Sequence, residues 1–115
     1  MYDPSEPVRE LRHVPIREKG DPLVDWVASG RLLRDVDRFH YRREPFMRKG
    51  LYDRLVEADA TLAAKGFRLT VLEGWRAPVI QRRMFLAVER RFRTRYPDLD
   101  DDALREVVER FSAPM

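Results

Sequence analysis

The chain has no cysteine and only two histidines in 115 residues. It can therefore form no disulfide framework, thiolate nucleophile or cysteine-ligated zinc site, and the lack of cysteine fits a reducing compartment. Glycine and proline are few, 5 and 8 residues without a period, which excludes collagen-like and low-complexity classes. The opening Met1-Tyr2-Asp3-Pro4-Ser5-Glu6-Pro7 has no apolar stretch of the kind a secretory signal needs. Nowhere do ~18 apolar residues run together, so no transmembrane helix is expected. These absences lead us to expect a cytoplasmic protein with no membrane partner.

Apolar side chains make up 43% of the chain and charged ones 37%. That apolar share argues against global disorder. The length suits a single domain over residues 1–115, which opens with an irregular arm over 1–22 that Pro4, Pro7, Pro15 and Pro22 keep from forming a long helix. Within the arm, Val14-Pro15-Ile16 reads as a short edge strand. Basic residues outnumber acidic ones by only 23 to 20, so the calculated pI of 9.6 overstates the field. All but three of the basic residues are arginine. Codon bias accounts for this excess, although the planar guanidinium also suits carboxylates and phosphates.

Leu23 to Phe39 carries a weak apolar pattern broken at Ser29-Gly30, which reads as short elements joined by a turn. From Gly50 the pattern strengthens. Leu51, Leu55, Ala58 and Leu62 fall within ~60° of one another at 100° per residue, and Tyr52, Val56 and Ala63 widen the stripe, an amphipathic helix that Lys65-Gly66 ends. Phe67 to Glu73 alternates and reads as a strand. Pro78 opens a second helix that runs to about Tyr96, with Met84, Phe85, Val88, Phe92 and Tyr96 on one face. Asp100-Asp101-Asp102 caps a third helix, whose apolar face is Leu104, Val107, Val108 and Phe111. Leu51, Leu55, Leu62, Val71, Val88 and Phe92 are expected to share one core.

The chemistry these residues allow is narrow. A catalytic zinc needs three protein ligands, and His13 and His40 lie 27 residues apart with no ligand-type spacing around either. No metal site is expected in this chain, and we read both histidines as structural. None of Ser5, Ser29 and Ser112 sits in a Gly-x-Ser-x-Gly elbow, and the glycines never cluster into a phosphate loop. Between Val79 and Tyr96 stand six arginines and one acid, Glu89. Nucleic-acid binding is one reading. We prefer a solvated outer face, because Asp100-Asp101-Asp102 partly cancels the field. Arg76 follows a strand and precedes a helix. A guanidinium placed there can hold a carboxylate or an oxyanion through two parallel bonds, or it can tie the loop to the core. Physics alone leaves these two roles open.

The segment Met47-Arg48-Lys49-Gly50, the helix Leu51–Ala64, Gly66-Phe67-Arg68-Leu69, then Glu73-Gly74-Trp75-Arg76-Ala77-Pro78 and Gln81 resembles the N-terminal half of the D-alanyl-D-alanine dipeptidases, the VanX-type zinc peptidases. The corresponding run there is Arg-x-Gly, helix, strand, Asp-Gly-Tyr-Arg-Pro. The similarity is clearest from about Pro45 to Phe85, and Ser112-Ala113-Pro114 resembles the segment just before that family's zinc motif. Glu73 stands for the usual Asp, Trp75 for the Tyr, and Ala77 separates the arginine from its proline. The family's Ser-x-His-x-x-Gly-x-x-x-Asp segment and its Glu-x-x-His are absent and would begin only beyond Met115.

The resemblance implies an α+β fold with helices packed on a small, mainly antiparallel sheet, Hedgehog/DD-peptidase-like and incomplete in this chain. It also implies a zinc-dependent hydrolase of D-Ala-D-Ala-type cell-wall dipeptides. Arg76 would be the catalytic oxyanion donor, with Glu73, Trp75 and Gln81 supporting its loop. The zinc ligands would lie outside this chain, on a second chain or in a removed catalytic half, so that this chain alone is inactive. The alternatives are a metal-free remnant that binds a peptide or amino acid in the Arg76 cleft, and, third, an arginine-rich nucleic-acid module.

Overall fold

The computed structural model describes residues 13–112. The expectations for residues 1–12 and for Ala113-Pro114 lie outside them. The described residues fall into two compact units, 18–77 and 78–112 together with 13–17.

The 18–77 unit contains four short strands and one helix: β1 (Leu23–Asp25), β2 (Leu33–Arg34), β3 (Phe46–Arg48), α1 (Lys49–Ala63) and β4 (Thr70–Val71). β1 pairs with β3 antiparallel, Val24 opposite Met47. β2 pairs with β4 in parallel, Leu33 opposite Thr70. A parallel pair needs a long crossover, and the segment carrying β3 and α1 supplies it. The α+β class therefore holds, with one antiparallel pair and one parallel pair where a mainly antiparallel sheet was expected. The turn after β1 is closed by Asp25, whose carboxylate accepts from Ala28 N–H at 2.8 Å, and by Gly30 at φ +66°.

α1 begins where a distant segment meets its first turn. Gly50 N–H donates to the Asp21 carboxylate at 2.9 Å, and Lys49 N–H donates to Pro22 O at 2.8 Å. These contacts satisfy two of the orphan donors of a helix start. At the other end Gly66 takes φ +84°, and Phe67 N–H reaches back to Leu62 O at 3.0 Å, a Schellman-type closure.

The core of this unit is Trp26, Leu32, Met47 and Val71, with Val24, Val27, Tyr52, Leu55 and Val56 packed against it. α1 thus turns Tyr52, Leu55 and Val56, all on the stripe read in the sequence, inward together with the buried Asp59. Leu51 is exposed.

The 78–112 unit is a helix pair, α2 (Pro78–Arg95) and α3 (Asp101–Glu109). Phe85, Leu104 and Val108 form its buried cluster, with Val88, Phe92 and Leu99 against it. Asp100 caps α3, accepting from Ala103 N–H at 2.7 Å, as its position suggested. Val88 and Phe92 therefore belong to a different cluster from Leu55 and Val71, which corrects the expectation of one shared core.

Two strand expectations are also corrected. The strand read over 67–73 shrinks to Thr70–Val71, because Asp59 takes the Leu69 N–H at 2.7 Å before β4 begins. Residues 14–16 form no strand, and Val14 and Ile16 are exposed. Among the described residues no helix is long and apolar enough to cross a membrane.

Candidate functional site

The residues after β4 pass over β3 so closely that only glycine fits at position 74. A Cβ there would lie 2.6 Å from Met47 Cβ and 2.9 Å from Phe46 O. This crossing fixes the path of Glu73-Gly74-Trp75-Arg76, and it gives the glycine of that motif a packing reason rather than a torsional one.

Glu73 and Arg76 come together. Arg76 donates to Glu73 Oε2 from Nε at 3.0 Å and from a terminal nitrogen at 2.7 Å. The Glu73 side chain is only 9% exposed, whereas that of Arg76 is 28% exposed. No local pattern marks the third member. Tyr41, 32 residues before Glu73, donates its hydroxyl to both Glu73 oxygens, at 3.0 and 2.9 Å. Phe39 stacks on Tyr41, ring centroids 5.0 Å apart and 11° from parallel. The Arg76 guanidinium carbon lies 5.6 Å from the Phe39 centroid and 5.8 Å from that of Tyr41, within cation–π range.

The electrostatics follow from this geometry. The bonds to Glu73 hold the Arg76 guanidinium still more firmly protonated, against the opposing effect of burial. Burial, then the bond to Glu73, pushes the Tyr41 phenol above the usual tyrosine range.

Arg43 anchors the Phe39–Tyr41 loop. It is buried, donates to Asp37 at 2.7 Å and to Asp35 O at 2.8 Å, and also donates to Leu72 O. The loop is therefore fastened at positions 72 and 73, just before Arg76. A Tyr and an Arg two residues apart in a polar loop carry no periodic signal, which is why sequence reasoning missed them.

The other expected site residues are placed less tellingly. Trp75 is half-buried in the same segment, and Gln81 is half-buried in the first turn of α2. His13 and His40 are both exposed. Among the described residues no three His, Cys, Asp or Glu side chains gather as a metal site requires, so these residues do not fit zinc. Along α2, Arg93 is committed to Leu99 O at 2.5 Å and to Asp101 at 2.6 Å. An open cleft of about 610 Å³ between α2 and α3 sets Arg90, Arg93 and Arg105 against Glu89 and Asp101.

What the Arg76 cluster can do chemically is hold an anionic oxygen. It is a guanidinium kept charged, oriented by a nearly buried carboxylate and set beside the stacked Phe39 and Tyr41 rings. Searched against known proteins, the chain matches no protein-family model, no curated protein and no solved structure.

Proposed function

We propose that this chain is part of a zinc-dependent dipeptidase acting on D-Ala-D-Ala-type cell-wall dipeptides, in a Hedgehog/DD-peptidase-like fold whose zinc ligands lie outside this chain. Arg76 is its contribution to catalysis. When water adds to a peptide carbonyl, negative charge gathers on the carbonyl oxygen, and a guanidinium already oriented in a partly dry site stabilises that charge without reorganising. The observation that supports this most is the Arg76–Glu73 pair, a partly exposed cation oriented by a nearly buried carboxylate. On this reading the enzyme works in the cytoplasm, on a dipeptide before its incorporation into peptidoglycan.

The same pair also favours a second reading. A guanidinium already engaged with Glu73 can exchange part of that contact for a ligand carboxylate, so a remnant that binds peptide without cleaving it is the alternative. One experiment separates the two. The chain is isolated from its native cells, intact mass identifies any second polypeptide carrying the His and Glu zinc motifs, and D-alanine release from D-Ala-D-Ala is measured with zinc present. Release that falls with Arg76→Ala is expected. Saturable dipeptide binding with no release assigns the binding role, and neither binding nor release overturns both readings.

A further inference from the structure

We infer that Tyr41 is a positioning residue for Arg76, acting through the carboxylate of Glu73 and from its own place beside the guanidinium. The terminal torsion of a glutamate is broad and only weakly restrained, so an ion pair with Arg76 does not by itself fix the orientation of the carboxylate. Tyr41 removes the remaining freedom by donating to both Glu73 oxygens. Glu73 is thereby held from one side by a phenol and from the other by two guanidinium N–H groups. The Tyr41 ring is itself held, stacked on Phe39, and Arg43 ties its loop to Leu72 O. The chain of contacts therefore runs from a buried arginine, through a stacked ring and a nearly buried carboxylate, to the one partly exposed cation at its end. Its catalytic meaning rests on the oxyanion role proposed for Arg76. The positioning itself does not, and it can be tested without turnover.

The test is side-chain NMR on the chain as it stands, comparing the parent with Tyr41→Phe. This change deletes one oxygen and keeps the ring, its stacking and its volume. The Arg76 Nε–Hε signal is identified by its loss in Arg76→Lys. In the Tyr41→Phe chain it should shift and exchange with solvent several-fold faster, while the Nε–Hε signals of Arg43 and Arg68, each held by its own carboxylate, stay in place. As a second measurement, the ultraviolet titration of the tyrosines should show one ionising late, and Glu73→Gln should bring it back toward the others. An Arg76 signal unchanged in Tyr41→Phe overturns the inference, because Glu73 then holds Arg76 alone. A Tyr41→Phe chain that loses backbone dispersion throughout also overturns it, since the hydroxyl would then anchor the whole unit. If the NMR effect is seen and the assembly isolated from native cells releases no D-alanine from D-Ala-D-Ala with zinc present, the positioning stands and the dipeptidase reading falls.

Discussion

Arg76 should matter most where its charge meets one that forms only during reaction. In an assembled enzyme, Arg76→Ala should lower kcat about a hundred- to a thousandfold, roughly 2.7–4 kcal/mol, with little change in KM. Arg76→Lys should recover little, because a point charge cannot replace the planar fork. Full turnover in a merely less stable Arg76→Ala protein would reduce the residue to a loop tie. Asp59 presents a different case. Bonds from Arg68 first, and from the Leu69 N–H second, hold its carboxyl below the usual aspartate range, against the opposing effect of burial. A depressed folded value means the bonded carboxylate stabilises the fold at neutral pH and loses that effect as pH falls below about 4 toward the folded value. Asp59→Asn should therefore lower Tm at pH 7 and flatten the acid limb of a Tm–pH curve. A curve of unchanged shape would show that the carboxylate is not linked to folding. Gly74→Ala, with a Cβ forced against Met47 and the Phe46 carbonyl, should cost about 1–3 kcal/mol in urea denaturation, and a neutral result would mean that β3 can give way.

At the scale of elements, helices were legible and strands were not. α2 and α3 begin within a residue of where Pro78 and the Asp100-Asp101-Asp102 run place them, because proline and capping acids act locally. Asp100→Ala should cost about 0.5–2 kcal/mol, seen as a lower urea midpoint; an unchanged midpoint would mean that the cap adds nothing here. The strands span only two or three residues each, too short for alternation to register against a turn. The face of α1 was read in part: Tyr52, Leu55 and Val56 turn inward as the stripe suggested, whereas Leu51 is exposed and Asp59 is buried. Its inward stripe includes Asp59, which hydropathy assigns to solvent, yet Arg68 and the Leu69 N–H satisfy it from a segment about ten residues away. A buried charge with a remote partner cannot be recognised from the pattern of its own helix.

At the scale of the molecule, the described residues form two small hydrophobic clusters where pooled apolar positions suggested a single core. Periodicity indicates which residues are buried but does not say with which others, so Val88 and Phe92 could not be separated from Leu55 by sequence alone. The candidate site was legible in the same partial way. Glu73 and Arg76 lie three residues apart and carry the family resemblance. Tyr41 and Arg43 reach them only through the fold, and nothing local marks them. Metal content tests the chain as a whole. After dialysis it should hold well under one zinc per molecule, since only His13 and His40 are of the usual ligand type. Stoichiometric zinc that disappears when both are replaced would overturn this and, with it, the placement of the ligands elsewhere.

The contact at Gly74 also has an evolutionary consequence. Position 74 should hold its glycine as the sequence diverges, whatever happens at 47. Shortening Met47 makes no room for a side chain at 74, because its Cβ would still lie 2.6 Å from the new carbon. The Phe46 carbonyl would lie 2.9 Å away, and a main-chain oxygen cannot be mutated away. Methionine at 47 should therefore be replaced many times in related lineages before glycine at 74 is replaced once.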